Sequence, residues 1–147
     1  NQLWEKLSNP ADTATITYTY PNVNNMITTV AGNNTSGMGS GSSGDGGLAT
    51  NATLVNPTDV VADNNGNIYL NDGGTTYSIR KVDANGVITR FAGNNTSGFS
   101  GDGGQATSAQ FSYEPGCSFD SSNNIILNDR FNNPNSAVSF NFGYLHL

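Results

Sequence analysis

The residues able to do chemistry in this chain of 147 are few, and most recur in pairs. Asp45 and Asp102 each sit in a GDGG tetrapeptide, Cys117 is the single cysteine, and His146 is the single histidine. A carboxylate in a glycine-rich loop can ligate calcium, but that ion takes about 6 to 8 oxygens, and no loop of EF-hand spacing follows either aspartate. Accepting loop amides or capping a short helix is the simpler role for both, which leaves Asp45 and Asp102 as weak calcium candidates and predicts no resident cofactor. Asp63, Asp72, Asp83, Asp120 and Asp129 lie in Asp/Asn/Gly clusters and read as turn residues that need no metal. Cys117 and His146 offer a nucleophile and a base in principle, yet a buried strand cysteine is the more ordinary state, and no carboxylate pair stands apart from the turn aspartates. The chain therefore reads as not an enzyme.

The asparagines say more. Asn33, Asn34, Asn51, Asn94 and Asn95 each open an Asn-x-Ser/Thr sequon with x not Pro, whereas Asn56 is disqualified by Pro57. Their clustering on loops predicts N-linked glycans if the protein is secreted by a eukaryote. Charged residues are only 11% and the net charge is −6, with no basic cluster larger than Arg80-Lys81, so nucleic acid and anionic membranes are not expected partners. No apolar run approaches the ~20 residues of a membrane span. Hydrophobic residues at 35%, supplemented by 18 glycines, suffice for a core. One cysteine excludes an internal disulfide, and a start at Asn1 without Met suggests a processed chain or a piece of something longer.

The elements that must position these residues are written in a repeat. Ile27 to Gly37 aligns with Ile88 to Gly98 at an offset of 61 with 9 of 11 identities, and Gly44 to Thr53 aligns with Gly101 to Gln110 at 57 with 7 of 10. Asp63 to Asp72 matches Asp120 to Asp129 at 57 with 6 of 10 identities, so one structural unit of this length is used more than once. Within it, Asp59 to Ala62, Asn67 to Asn71, Tyr77 to Val82 and Val87 to Ala92 alternate like strands. The clusters DNNG, DGG and DANG between them tolerate the positive φ of tight reversals. The expectation is a four-stranded antiparallel meander. One meander cannot bury both its faces, so copies pack face to face around an axis, which gives an all-β chain of β-propeller blades. The Gly-rich stretch then crosses from the outer strand of one blade to the inner strand of the next. In it, LATNATL and QATSAQF each read as one helical turn pinned by Ala49, Ala52 and Leu54, or by Ala106, Ala109 and Phe111.

The set formed by VITRFAGNNTSGFSGDGGQATSAQF, the D-x-x-x-N-I-x-L-x-D hairpin and IRKVDANGVIT resembles the long form of the NHL-repeat β-propellers, as in bacterial surface proteins and large eukaryotic cell-surface proteins such as teneurins. The resemblance is strong from Ile27 to Asp129. It departs near Thr76-Tyr77-Ser78, where the naming Asn-His-Leu is replaced, and at PGCSFD, one residue shorter than PTDVVAD. It implies an extracellular or cell-surface location. The three-histidine zinc site of a lyase relative is unavailable with one histidine, and the basic face of RNA-binding members is missing.

The organisation expected is an N-terminal arm (1–14), a partial blade and crossing loop (15–56) with an outer hairpin at Thr15 to Tyr20 and Met26 to Ala31, a full blade and crossing loop (57–114), and a divergent terminal blade (115–147). About two and a half blades make an incomplete ring. Open edges and faces predict pairing with other copies of itself or with other propeller blades, head to tail, into a ring or filament. Leu3, Trp4 and Leu7 of the arm, with Tyr18, Tyr20, Phe140, Phe142 and Tyr144, are the candidate interface residues. The reading is a non-enzymatic structural or protein-interaction module. The alternative is a fragment of a larger propeller enzyme or carbohydrate-binding domain whose site is shared with further blades.

Overall fold

A computed structural model describes residues 27–35, 41–112, 115–129 and 140–142. The four alternating runs form β1 (Pro57–Ala62), β2 (Ile68–Asp72), β3 (Ser78–Val82) and β4 (Ile88–Ala92), an antiparallel sheet in the order β1-β2-β3-β4. A second antiparallel sheet follows, with β5 (Gly116–Phe119), β6 (Ile125–Asn128) and β7 (Phe140–Phe142) in the order β5-β6-β7. The two stretches expected to make one helical turn each are 3-10 turns, Ala49–Asn51 and Ala106–Ser108. Among the described residues the fold is all-β, two antiparallel sheets packed as propeller blades that do not close a ring. None of the helices among the described residues is long and apolar enough to cross a membrane.

Three reversals use one device. Asp63 Oδ1 accepts the amides of Asn65 and Asn67 at 2.9 and 2.8 Å, Asp83 Oδ1 those of Asn85 and Val87 at 2.9 and 2.9 Å, and Asp120 Oδ1 those of Ser122 and Asn124 at 2.8 and 2.8 Å. The fourth residue of each turn has positive φ: Gly66, Gly86 and, in the third, Asn123 at 65°. Asparagine is the side chain that tolerates that conformation best, which is how DSSN replaces DNNG without loss of the turn. Asp72 and Asp129 differ from the expectation: both are buried beyond the last residues of the alternation and belong to blade packing rather than to an exposed turn.

The one-residue difference between PTDVVAD and PGCSFD is a β-bulge. Pairing of β1 with β2 slips between Pro57 and Val60, whereas β5 pairs continuously with β6 from Gly116 to Phe119. The extra residue turns the strand locally and re-aims Asp59.

The first sheet is covered on both faces. Leu70, Val82 and Ile88 pack with Ala49 and Ala52 of the preceding crossing loop. On the other face Tyr69, Ile79 and Ala92 pack with Ala109 and Phe111 of the following loop and with Cys117, Ile125 and Leu127 of the next blade. The alanines and Phe111 therefore pin the 3-10 turns as their spacing suggested, and Leu54 and Ala106 are partly buried beside them. Residues 27–31 align with β4 and belong to no strand among the described residues. The remainder of the expected outer hairpin, including Thr15 to Tyr20 and Met26, lies outside the described residues.

Candidate functional site

The crossing loop before the first sheet is held by a single cation. Arg80, on β3 and 1% exposed, donates through Nε and Nη2 to Asp45 Oδ1 at 3.2 and 2.7 Å, and through Nη2 to the Ser43 carbonyl at 3.0 Å. Its Nη1 donates to the Thr53 carbonyl at 3.2 Å and to Asp72 Oδ2 at 3.4 Å. Two stretches of the loop, Ser43 to Asp45 and Thr53, are tied to one guanidinium, whose fixed fork of donors suits several acceptors at once. Asp72 also accepts the Val55 amide at 2.7 Å. Burial pushes the Asp72 carboxyl above its ordinary range, against the opposing pull of the Val55 amide and of Arg80. One repeat later Asp129 takes the Ser112 amide and hydroxyl in the same way. Backbone proximity makes the first glycine of each GDGG obligatory. Gly44 and Gly101 have φ of +92° and +103°, and a Cβ on either would lie 2.8 Å from Ala52 Cα or 2.7 Å from Ala109 Cα.

The junction between the blades is set by β1, β2 and β5. Tyr69 lies edge-on to Phe91 and Phe119, with centroids 4.9 and 5.3 Å away. Asn71 donates from Nδ2 to the Pro115 carbonyl at 2.8 Å, fixing the start of the next inner strand. Asp59, turned by its bulge, accepts the Cys117 amide at 2.8 Å. The turns are also joined, the Asn64 amide donating to Asn123 Oδ1 at 3.0 Å. Burial and the neighbouring Asp59 carboxylate push the Cys117 thiol up to about 12, so it stays protonated at neutral pH and is a poor nucleophile. His146 lies outside the described residues. Among the described residues no group of three or more His, Cys, Asp or Glu side chains is placed to hold a metal ion.

What remains is surface, and the repeat gives it a measure. Positions that are buried where the two blades meet recur in open positions at the two outer faces. Cys117 is 9% exposed while its repeat partner Val60 is 65% exposed. Pro115 is fully buried and Pro57 is exposed; Asn71 is buried and Asn128 is exposed. Ile88 is 0% exposed, held between the Gly46 amide and the Gly47 carbonyl at 2.8 and 3.0 Å, whereas Ile27 is fully exposed. Leu48 and Phe99 are large apolar residues that are also exposed.

The residues singled out from sequence fall as follows. Asp45 is engaged by Arg80, and Asp102 is exposed on its loop. Asn33 and Asn94 act locally: each accepts an amide two residues on, from Thr35 at 3.0 Å and from Thr96 at 2.9 Å, and each returns its Nδ2 to the loop. Asn34 and Asn95 follow with φ of 61° and 64° at exposed tips, and Asn51 is exposed on its 3-10 turn. Phe140 and Phe142 pair through their backbone with Asn128 and Ile126 in β7. Leu3, Trp4, Leu7, Tyr18, Tyr20 and Tyr144 lie outside the described residues. Sequence reading missed Arg80, Asp59 and Asn71; the identical Leu-Asn-Asp at 70–72 and 127–129 was the one available signal for the last.

A sequence model of the teneurin NHL domain matches residues 11–101. Teneurin-3 of Danio rerio and of Mus musculus are each 50% identical to this chain over 52 residues, and Teneurin-4 of Homo sapiens is 48% identical over 52. Those alignments cover 35% of this chain and 2% of each relative, so the chain corresponds to a small part of proteins far longer than itself. A structural genomics protein from Bacteroides thetaiotaomicron superimposes with a TM-score of 0.48 at 28% identity, over 54% of this chain and 20% of that one.

Proposed function

The chain belongs to the teneurin NHL-domain family, and from that premise we propose that it is an extracellular, non-enzymatic propeller segment whose work is contact with other protein blades, its own copies first. The observation that carries this reading is the reversal of burial between repeat-equivalent positions: Val60, Pro57, Asn128 and Ile27 are open where Cys117, Pro115, Asn71 and Ile88 are covered. Surface of this kind is expensive to leave in water, at ~25 cal/mol per Å² of apolar area. Identical chains joined head to tail bury it by repeating a contact the fold already makes, and the rotation between blades then decides between a closed ring and a filament.

An extracellular setting fits the family's place in cell-surface proteins, the low charge of 11%, and the sequons on the crossing loops. The absence of a catalytic role fits an inert Cys117 thiol held up by burial and by Asp59. The blade plan proposed is the one drawn from the repeat, with 57–114 as a full blade and its crossing loop, flanked by 15–56 and 115–147. Sedimentation velocity on the 147-residue chain over a hundredfold range of concentration tests the proposal. A mass that rises with concentration to a small multiple of 15.4 kDa is expected, and a monomer throughout refutes it.

A further inference from the structure

We propose that Asn65 is a self-modification site, converted in the folded chain to aspartate and isoaspartate by the backbone amide of Gly66, while Asn85, in the same dipeptide one blade reversal later, is protected. The proposal goes beyond the self-association reading and does not depend on it. Asn-Gly occurs twice in the sequence, at 65–66 and 85–86, each time as the third and fourth residues of an aspartate-led reversal. Both asparagines are exposed, and a glycine carries no Cβ to hinder the approach of its nitrogen to the preceding side chain. The reaction needs only the chain and water. The Gly66 nitrogen gives its proton to solvent base and bonds to Asn65 Cγ, the Cγ–Nδ2 bond breaks, and Nδ2 leaves as ammonia with a proton returned by water. Water then opens the resulting cyclic imide at either carbonyl. One opening leaves aspartate, and the other leaves isoaspartate, whose main chain runs through the side-chain carbon.

The fold decides which asparagine reaches that geometry. In each turn the glycine amide donates to the carbonyl of the leading aspartate, Gly66 to Asp63 at 3.1 Å and Gly86 to Asp83 at 2.9 Å, and must leave it before it can attack. Beyond that bond the turns differ. The Gly86 carbonyl accepts the Ala49 amide at 2.8 Å, and Val87 is bridged to Leu48, so the residues after Asn85 are fastened to the crossing loop. In the first turn the additional bonds go to Asp63 itself: Asn67 Nδ2 and the Tyr69 hydroxyl reach its Oδ2 at 2.6 and 3.4 Å, and neither holds Gly66. Opening around Gly66 therefore breaks fewer bonds than opening around Gly86. The modification bears on the blade junction, because the neighbouring Asn64 donates its amide to Asn123 Oδ1 of the next blade at 3.0 Å. Conversion at 65 sets a new carboxylate close to that of Asp63, and isoaspartate lengthens the main chain within a turn whose Asn65 and Asn67 amides share Asp63 Oδ1. Both changes displace Asn64. The product is a one-way loosening of this corner of the junction.

Peptide mapping of the whole chain tests the proposal, since trypsin cuts after Lys81 and places residues 65 and 85 in different peptides. Samples are aged at mildly alkaline pH, folded in one arm and unfolded in urea in the other. In the folded arm Asn65 is expected to convert at least about tenfold faster than Asn85, the factor that one or two extra hydrogen bonds impose on local opening. In urea the two are expected to convert at similar rates, because the same residue follows each. Asn65→Gln, whose longer side chain closes a less favourable ring, is expected to stay unmodified at 65. It should also keep the Asn64 amide as slow to exchange as in fresh wild type, whereas aged wild type loses that protection. Equal conversion at 65 and 85 in the folded chain, or conversion at neither while both react in urea, overturns the proposal. Conversion at Asn65 that leaves the Asn64 amide exchanging at its original rate overturns the link to the junction.

Discussion

Replacing Arg80 with methionine keeps the length and apolar stem of the side chain and removes the charge that ties Asp45, Asp72 and two loop carbonyls together. Asp72 is 0% exposed and would be left without its cation, while Asp45, about half exposed, turns to water and contributes little. Breaking a buried pair by removing one partner costs about 3–5 kcal/mol, which in a chain of this size lowers Tm by roughly 6–20 °C. The loss should also depend on pH. Burial holds the Asp72 carboxyl above its unfolded value, so its proton binds more tightly in the folded state and stability from this group falls as pH rises through the interval between the two. Without Arg80 the folded value rises further, and the deficit of Arg80→Met is expected to be largest near pH 7 and to shrink toward about pH 3, where Asp72 is protonated. Urea titrations of both proteins at the two pH values, at concentrations low enough to keep them monomeric, measure this. Adding Asp72→Asn to the variant should recover part of the loss. A deficit below about 0.5 kcal/mol, within the range of ordinary surface substitutions, or one that is equal at both pH values, refutes the clamp.

Gly44→Ala and Gly101→Ala should each destabilise the chain by about 2 kcal/mol or more, from a left-handed backbone and a Cβ driven into Ala52 or Ala109, whereas Gly103→Ala, with open space around it, should cost only the backbone term; thermal melts rank the three. The Cys117 thiol should resist alkylation near pH 8 in the folded chain and react on unfolding, and rapid labelling of the native protein would contradict its burial and its raised pKa of about 12. In material secreted from a eukaryotic host, glycopeptide mapping is expected to find no more than one glycan in each adjacent pair, on Asn34 and Asn95, with Asn51 also open to modification, since Asn33 and Asn94 spend their amides on the loop; occupancy confined to Asn33 and Asn94 would refute that assignment.

Much of the fold was legible because it is encoded locally. Alternation placed β1 to β4 to within a residue or two, and the Asp-x-x-Gly reversals are decided by residues that touch one another within five positions. The repeat allowed one blade to predict the next. What was not legible depends on partners distant in sequence. Arg80 reads as half of a surface Arg-Lys pair until a loop some 35 residues away closes over it, and Asp72 reads as a turn residue until Val55 and Arg80 enclose it. PGCSFD reads only as one residue shorter than PTDVVAD, whereas in the structure the extra residue of PTDVVAD is a bulge beside Asp59, which accepts the Cys117 amide across the blade junction.

The central claim, that the exposed outer faces of the two sheets meet other copies of the chain, is tested most directly by sedimentation of Val60→Asp, which places a charge on one of those faces at a residue that is 65% exposed. The wild-type mass should rise with concentration while the variant stays at the monomer mass over the same range. A variant that associates as strongly as the wild type would contradict the claim.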